Sequence, residues 1–241
     1  MNTEWQDRYN DALTLLQFIE KKQDKKFFLT IRTFEKSDVQ EIMVDTSEAA
    51  KIAVDMEFNG KALRDVWVTI QEEIDDYEVD SLNKAVEKIK IKCFRAFVID
   101  IDQIKLDGKP KVILDYEAKK NILNIVLEYF KKMGIDDWLA VDSGNGIHVY
   151  GHLNFSEDFL KDKKIVKKIT NWIRSDHVWQ YLGVLVDPVV ARPTRAVRVP
   201  GSKNLKDAEN PKTARIIGRG ESKKCRPSIL EAEKVIPEIF K

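Results

Sequence analysis

Phe94-Arg-Ala-Phe-Val-Ile-Asp-Ile-Asp102 is the most apolar strand candidate in the chain, and it ends in two aspartates. Side chains two apart on a strand point the same way, so Asp100 and Asp102 project from one face about 7 Å apart. Such a pair is often no more than two solvated acids. A strand this apolar is typical of a buried position, where uncompensated carboxylates repel each other. A divalent metal ion removes that conflict, because Mg²⁺ and Mn²⁺ bind carboxylates together with substrate phosphates.

A hairpin motif lies further along, in residues 138–153, where two strand-like runs flank Ser-Gly-Asn-Gly-Ile-His. The Asn-Gly pair predicts a two-residue type I′ turn, which places Ser143 opposite His148 on one face. A hydroxyl and an imidazole about 5 Å apart can both donate to phosphate oxygens, and Gly144 and Gly146 permit close backbone approach. The alternative is an ordinary hairpin with a surface histidine. A Ser-His hydrolase is disfavoured, because the strained turn of a nucleophile elbow is missing.

A third acid and a basic segment follow. Asp187 ends the apolar run Tyr-Leu-Gly-Val-Leu-Val and is followed by Pro188, so it resembles Asp100 and could close a metal site. Between residues 192 and 226 there are eleven basic and three acidic residues, a local excess of eight positive charges. Arginine and lysine in such a run suit phosphate binding, although a solvated loop is an equally good interpretation of the run alone.

The composition limits the remaining possibilities. The chain has 241 residues, 43% of them hydrophobic, and 41 basic against 40 acidic residues give a net charge of +1. Any nucleic-acid partner must therefore be met by a local patch. No apolar run approaches the roughly 20 residues that span a bilayer, so we expect an intracellular, cytoplasmic protein with no membrane partner. Cys93 and Cys225 lie far apart, and with three histidines they form no zinc-spaced cluster.

Apolar periodicity predicts a mixed chain of helices and strands. The main predicted elements are helices at 4–20, 81–90, 157–181 and beyond Pro227, and strands at 26–34, 66–70 and 94–102. On length alone one large or two small domains are reasonable, and one continuous unit is the default expectation.

In this order, the motifs resemble the three signature motifs of the archaeo-eukaryotic primase superfamily, particularly its plasmid- and phage-type primase-polymerases. Asp100-Ile-Asp102 resembles the first motif, which supplies metal-binding acids, and Asp187 resembles the acid of the third. Ser143-Gly-Asn-Gly-Ile-His148 resembles the second motif, whose Ser and His contact the nucleotide triphosphate. The segment from Ala191 to Lys206 is similar to the family's arginine-containing stretch with a Pro-Gly-Ser/Thr-x-Asn turn. The resemblance covers about residues 60–220.

The resemblance implies an α+β, primase-polymerase fold: an antiparallel sheet core like that of the RNA-recognition motif, backed by helices, plus an N-terminal αβ module. It implies one catalytic domain over 1–241, with the N-terminal module at about 1–90, the catalytic module at about 91–225 and a C-terminal helix at 227–240. The implied catalytic and metal-binding residues are Asp100, Asp102 and Asp187. The implied nucleotide-binding residues are Ser143, Gly144, Gly146, His148, Arg195, Arg198, Ser202, Lys203, Asn204 and Lys206.

The activity that the resemblance implies is DNA-dependent nucleotide addition, as a DNA primase or polymerase, to a primer or an initiating nucleotide. It would use two Mg²⁺ or Mn²⁺ ions, nucleoside triphosphates and a DNA template, in a plasmid, phage or prokaryotic context. A helicase or other replication protein is a further candidate partner. Tyr150 and Phe97 are candidates for sugar selection. The sequence leaves open a nicking replication initiator of related fold, or a template-binding module without catalysis. The chain lacks the zinc-binding cysteines of some relatives and the phosphate-binding loop of a helicase.

Overall fold

The structure is a computed structural model, and it describes residues 3–19, 26–33, 39–55, 57–59, 61–69, 71–73, 91–106, 109–110, 114–156, 158–188, 196–204, 211–221 and 226–238. The chain folds as two compact units. The first contains Met1–Arg95 with Pro193–Ile216, and the second contains Ala96–Arg192 with Ile217–Lys241. The predicted helix at 81–90 lies outside the described residues. The proposed division into an N-terminal and a catalytic module stays a prediction.

The first unit is built on an antiparallel sheet. Its elements in the N-terminal part are α1 (Thr3–Ile19), β1 (Lys26–Thr33), β2 (Val39–Asp45), α2 (Thr46–Val54), β3 (Glu57–Phe58), β4 (Lys61–Thr69), β5 (Gln71–Glu73) and β6 (Ile91–Phe94). The sheet has the order β13-β4-β1-β2, with β3 paired to β4, and β13 is Ala196–Arg198. Alternate residues Phe27, Leu29 and Ile31 of β1 are buried, which is the period-two pattern of a strand with one face against a core.

The second unit is built on a separate five-stranded sheet. Its elements are β7 (Phe97–Gln103), β8 (Lys105–Leu106), β9 (Lys109–Pro110), α3 (Tyr116–Lys132), β10 (Trp138–Asp142), β11 (Ile147–Gly151), α4 (Phe159–Arg174), α5 (Val178–Tyr181), β12 (Val184–Val186), β16 (Arg215–Gly220) and α6 (Ile229–Lys234). The order of the strands in the sheet is β12-β7-β11-β10-β16. Two short pieces of the first unit, β14 (Lys203–Asn204) and β15 (Lys212–Thr213), pair with each other. Strand β7 is central and pairs antiparallel with both β11 and β12.

Helix α3 covers one face of the second sheet. Its apolar stripe includes Ile122, Val126 and Phe130, all buried, and the ring of Phe130 lies 6.0 Å from that of Phe97. Gly151 leaves room for this packing, because a Cβ there would lie 2.9 Å from the Phe130 ring. Phe97 therefore points toward the helix, and Asp100, three residues further along β7, points to the opposite face.

The mixture of helices with antiparallel sheets confirms the predicted α+β class. The predicted helix at 157–181 is two helices, because α4 ends at Arg174 and the Ser175 amide closes its last turn before α5 begins. Among the described residues, no helix combines the length and apolar character needed to cross a bilayer.

Candidate functional site

Three polar residues lie side by side across the second sheet. His148 of β11 is the direct register partner of Asp100 on β7. On the other side, Val186 pairs with Ile101, and the Asp187 amide donates to the Asp100 carbonyl oxygen at 2.8 Å. Directly opposed residues of antiparallel strands share a face, so His148, Asp100 and Asp187 form a row on the face away from α3.

Asp102 extends this row along β7. It lies two residues beyond Asp100 and therefore on the same face, opposite Leu185 of β12. The structure thus places all three predicted acids on one face of one sheet, on adjoining strands. Their assignment as metal ligands stays a prediction.

The acids differ in burial. Asp100 is 2% exposed and His148 is 4% exposed, whereas Asp102 and Asp187 are partly open to solvent. The Asp100 Oδ1 lies 3.4 Å from Nε2 of His148, and Nδ1 of the same ring lies 3.4 Å from the Tyr150 hydroxyl. Burial raises the pKa of Tyr150 above its ordinary value, so this hydroxyl keeps its proton and can donate to Nδ1. That arrangement favours the ring tautomer whose Nε2–H faces Asp100.

The hairpin turn differs from the predicted one. His148 pairs with Val141 and Ile147 pairs with Asp142, so residues 143–146 form the loop, and the Ser143 amide donates to the Gly146 carbonyl oxygen at 3.1 Å. The predicted type I′ turn, with Ser143 opposite His148, is wrong. The physical reason is that Asp142 Oδ1 accepts a 2.7 Å bond from the Gly144 amide and the chain turns at Gly144, whose φ is 99°. Neither Asn145 nor Gly146 takes the positive φ that a type I′ turn requires.

The loop contacts the end of β7 at Gly146. A Cβ at this position would lie 2.6 Å from Oδ1 of Asp102 and would overlap the Ile101 carbonyl oxygen. Only a glycine permits so close an approach of the two backbones. Ser143 therefore belongs to a loop that contacts the strand bearing Asp100 and Asp102. This contact is made through Gly146 and not through the predicted pairing of Ser143 with His148.

Sequence reasoning missed a lysine that lies beneath this loop. Lys119 of α3 is 4% exposed, and its Nζ donates to Asp142 Oδ1 at 2.7 Å and to the Gly144 carbonyl oxygen at 3.3 Å. The signal was present in the sequence. Lys119 precedes Ile122 and Val126 by three and seven residues, so it falls on the apolar stripe of the helix, where a lysine needs a partner.

The donor set fits a hard divalent cation. Asp100, Asp102 and Asp187 offer carboxylate oxygens on one sheet face, which is the ligand type that Mg²⁺ and Mn²⁺ prefer. Within the described ranges, no three His, Cys, Asp or Glu side chains are already gathered around one metal position. The fit therefore rests on the ligand chemistry and the shared sheet face, and a metal site at these acids stays a prediction.

The predicted nucleotide contacts near residue 200 belong to the first unit. Arg198 is 1% exposed, lies with its guanidinium 4.5 Å from the Trp67 ring centre, and donates to the Lys203 carbonyl oxygen at 3.1 Å. The Ser202 hydroxyl donates to the Val199 carbonyl oxygen at 2.6 Å, and Asn204 is buried. Arg198 and Ser202 thus make structural contacts, and Lys203 is partly exposed. Their nucleotide-binding role stays a prediction. Arg195 and Lys206 lie outside the described residues.

The two sugar-selection candidates have different positions. Phe97 faces α3 and packs on Phe130, on the opposite side of the sheet from Asp100, so that prediction is wrong. The strand alternation places the two residues on different faces. Tyr150 shares the face of His148 but is fully buried, with its hydroxyl toward that histidine.

No protein-family model matches the chain, and no curated protein matches it in sequence. Solved structures match in shape. The polymerase domain of Mycobacterium tuberculosis ligase D in complex with DNA is 10% identical, with a TM-score of 0.52 over 95% of this chain and 87% of that one. A structure of primase RepB′ is 10% identical, with a TM-score of 0.51, and this chain spans 62% of its length. The catalytic domain of RepB′ with initiator DNA is 13% identical, with a TM-score of 0.48 over 95% and 94% of the two chains. The first two likenesses confirm the predicted primase-polymerase fold.

Proposed function

We propose that this chain, whose fold is that of a primase-polymerase catalytic domain, is a DNA-dependent nucleotidyltransferase. The observation that carries the proposal is the placement of Asp100, Asp102 and Asp187 on one sheet face, beside the loop that bears Ser143. The DNA complex of the ligase D polymerase domain, which shares this fold, supports it. A common role in binding cations would account for the placement of the three carboxylates on one sheet face.

In this proposal Asp100, Asp102 and Asp187 hold two Mg²⁺ or Mn²⁺ ions. When bound, such ions neutralise triphosphate charge and activate the attacking hydroxyl of a primer or an initiating nucleotide. The protein itself contributes by holding the carboxylates in position for the substrate. Asp102 and Asp187 are partly exposed, so they can reach a substrate, while Asp100 anchors the set from its buried place.

The triphosphate is assigned to the loop and to His148. Ser143 can donate its hydroxyl to a phosphate oxygen, and the glycines at 144 and 146 let the loop backbone come close to it. In this scheme the Nε2–H of His148 is shared between Asp100 Oδ1, 3.4 Å away, and a phosphate oxygen. Catalysis then rests mainly on orientation and charge neutralisation.

A basic face of α4 is suited to the DNA backbone. The helix carries six lysines and arginines against one acid, Asp162, which is buried. Lys161, Lys164, Lys167 and Arg174 are exposed. Lys161, Lys164 and Lys167 are about one turn apart, roughly 4.5 Å along the axis, and Arg174 lies about two turns further on. Such a row matches a polyanion better than a single charged group. We assign this face to sequence-independent contact with template or product DNA.

The test is extension of a labelled primer on a DNA template. We expect templated addition of nucleotides with Mg²⁺ or Mn²⁺, no addition when the metal is chelated, and recovery when metal is restored, because the carboxylates alone cannot neutralise the triphosphate. Templates with each single base at the first position separate templated from untemplated addition. Failure to incorporate any nucleotide with either metal, on primed or unprimed DNA, would contradict the proposal. A covalent protein–DNA adduct would instead favour a nicking initiator.

A further inference from the structure

Lys119 is a buried residue of α3 whose charged side chain bonds to the hairpin. It is the fourth residue of α3 and lies on the same stripe as Ile122 and Val126. An apolar side chain would fill such a position without the desolvation cost of an ammonium group. Lys119 makes two bonds, one to Asp142 at the end of β10 and one to the Gly144 carbonyl oxygen in the hairpin loop.

The loop is therefore held at two places. On the helix side, Asp142 Oδ1 is within 2.7 Å of both the Lys119 ammonium and the Gly144 amide, so one carboxylate joins the helix to the loop backbone. On the β7 side, Gly146 packs against Ile101 and Asp102. Ser143 lies between these two attachments.

We infer that Lys119 is a positioning residue, which fixes the loop of residues 143–146 in the shape that presents Ser143, beside His148 of β11, to a nucleotide triphosphate. A loop ordered before binding gives up little conformational freedom when the ligand arrives. Without the ammonium, the Gly144 carbonyl and the Asp142 carboxylate lose their partner on α3, and the loop samples other shapes. If about one molecule in ten then has the competent loop, the apparent affinity for nucleotide falls about tenfold.

The test compares Lys119→Met with Lys120→Met. Both remove one lysine charge from consecutive positions of α3, but Lys120 is exposed and its ammonium lies 4.5 Å from the Tyr116 ring centre. The first measurement is amide hydrogen exchange. We expect the Ser143 and Gly144 amides of Lys119→Met to exchange about tenfold faster, with the amides of β7 and β11 unchanged, because only the loop loses an attachment. Lys120→Met should match the parent.

The second measurement is nucleotide incorporation, and this readout rests on the proposed function. We expect the KM for nucleotide to rise about tenfold in Lys119→Met, with kcat within about threefold of the parent, the pattern of lost ground-state binding. The KM for primed template should stay unchanged. A parent protein that incorporates no nucleotide would refute the proposed function and leave hydrogen exchange as the test of Lys119.

Lys119→Met leaves Asp142 without its buried cation and could unfold, so the double variant Lys119→Met/Asp142→Asn provides a neutral pair of similar size. It should fold, and its loop amides should still exchange faster than those of the parent, because the bond from α3 to the Gly144 carbonyl oxygen is absent. Loop exchange in a folded Lys119→Met or double variant equal to that of Lys120→Met would overturn the inference. An unchanged KM for nucleotide in an active variant would also overturn it.

Discussion

Asp100→Asn is expected to reduce nucleotide incorporation by at least about 10²- to 10³-fold, the scale at which loss of one charge-stabilising group affects catalysis. Asparagine has nearly the same size as aspartate but lacks the negative charge that a divalent cation requires. The same change replaces a buried carboxylate with an uncharged group of nearly the same size, so the fold should persist. Steady-state primer extension measures the loss of nucleotide incorporation, and a thermal melt checks that the variant is folded.

The matched control is Glu128→Gln, which makes the same carboxylate-to-amide change on the exposed side of α3. It should incorporate nucleotide like the parent. Asp102→Asn should lose activity on the same scale as Asp100→Asn, because the two carboxylates share one face. A folded Asp100→Asn protein with parental activity would show that this carboxylate binds no catalytic metal.

Gly146→Ala should damage both the loop and the activity. The added methyl group would overlap the Ile101 carbonyl oxygen and approach Asp102 Oδ1 to 2.6 Å, and a backbone atom in a central strand cannot move aside cheaply. Overpacking of this kind costs about 1–3 kcal/mol in free energy of unfolding. We expect a lower melting temperature together with a loss of kcat/KM of more than about tenfold, because misplacing a positioned group weakens catalysis steeply.

Gly218→Ala is the control for this change. Its Cβ would lie 3.1 Å from the Trp138 ring, a side chain that can shift by a few tenths of an ångström. This variant should lose a little stability and keep its kcat/KM. Equal kcat/KM in the two glycine variants would mean that the seating of the loop on β7 has no catalytic role.

The acids could be predicted from the sequence because strand geometry is simple. Asp100 and Asp102 share a face by alternation alone, and the apolar run before Asp187 marks a second strand end. Their adjacency could not be predicted in this way. It depends on β12 and β11 pairing on opposite sides of β7, which is a tertiary arrangement that local patterns do not encode.

The hairpin loop could not be predicted correctly, for a different reason. An Asn-Gly pair predicts a tight two-residue turn, yet the Asp142 side chain competes for the Gly144 amide and yields a wider loop. The lysine under that loop was recognisable only as a charge on an apolar stripe; its partners lie 23 and 25 residues away along the chain. The order of the motifs groups the basic residues near 200 with the acids. In the structure, however, Arg198 packs on Trp67 within the first unit.

The most direct test of the central claim is a crystal structure with Mn²⁺ and a non-hydrolysable nucleoside triphosphate, measured at a wavelength where manganese scatters anomalously. The account predicts manganese peaks coordinated by carboxylate oxygens of Asp100, Asp102 and Asp187, with the triphosphate against Ser143 and His148. Manganese and triphosphate bound together elsewhere on the chain, with these three carboxylates uncoordinated, would contradict it.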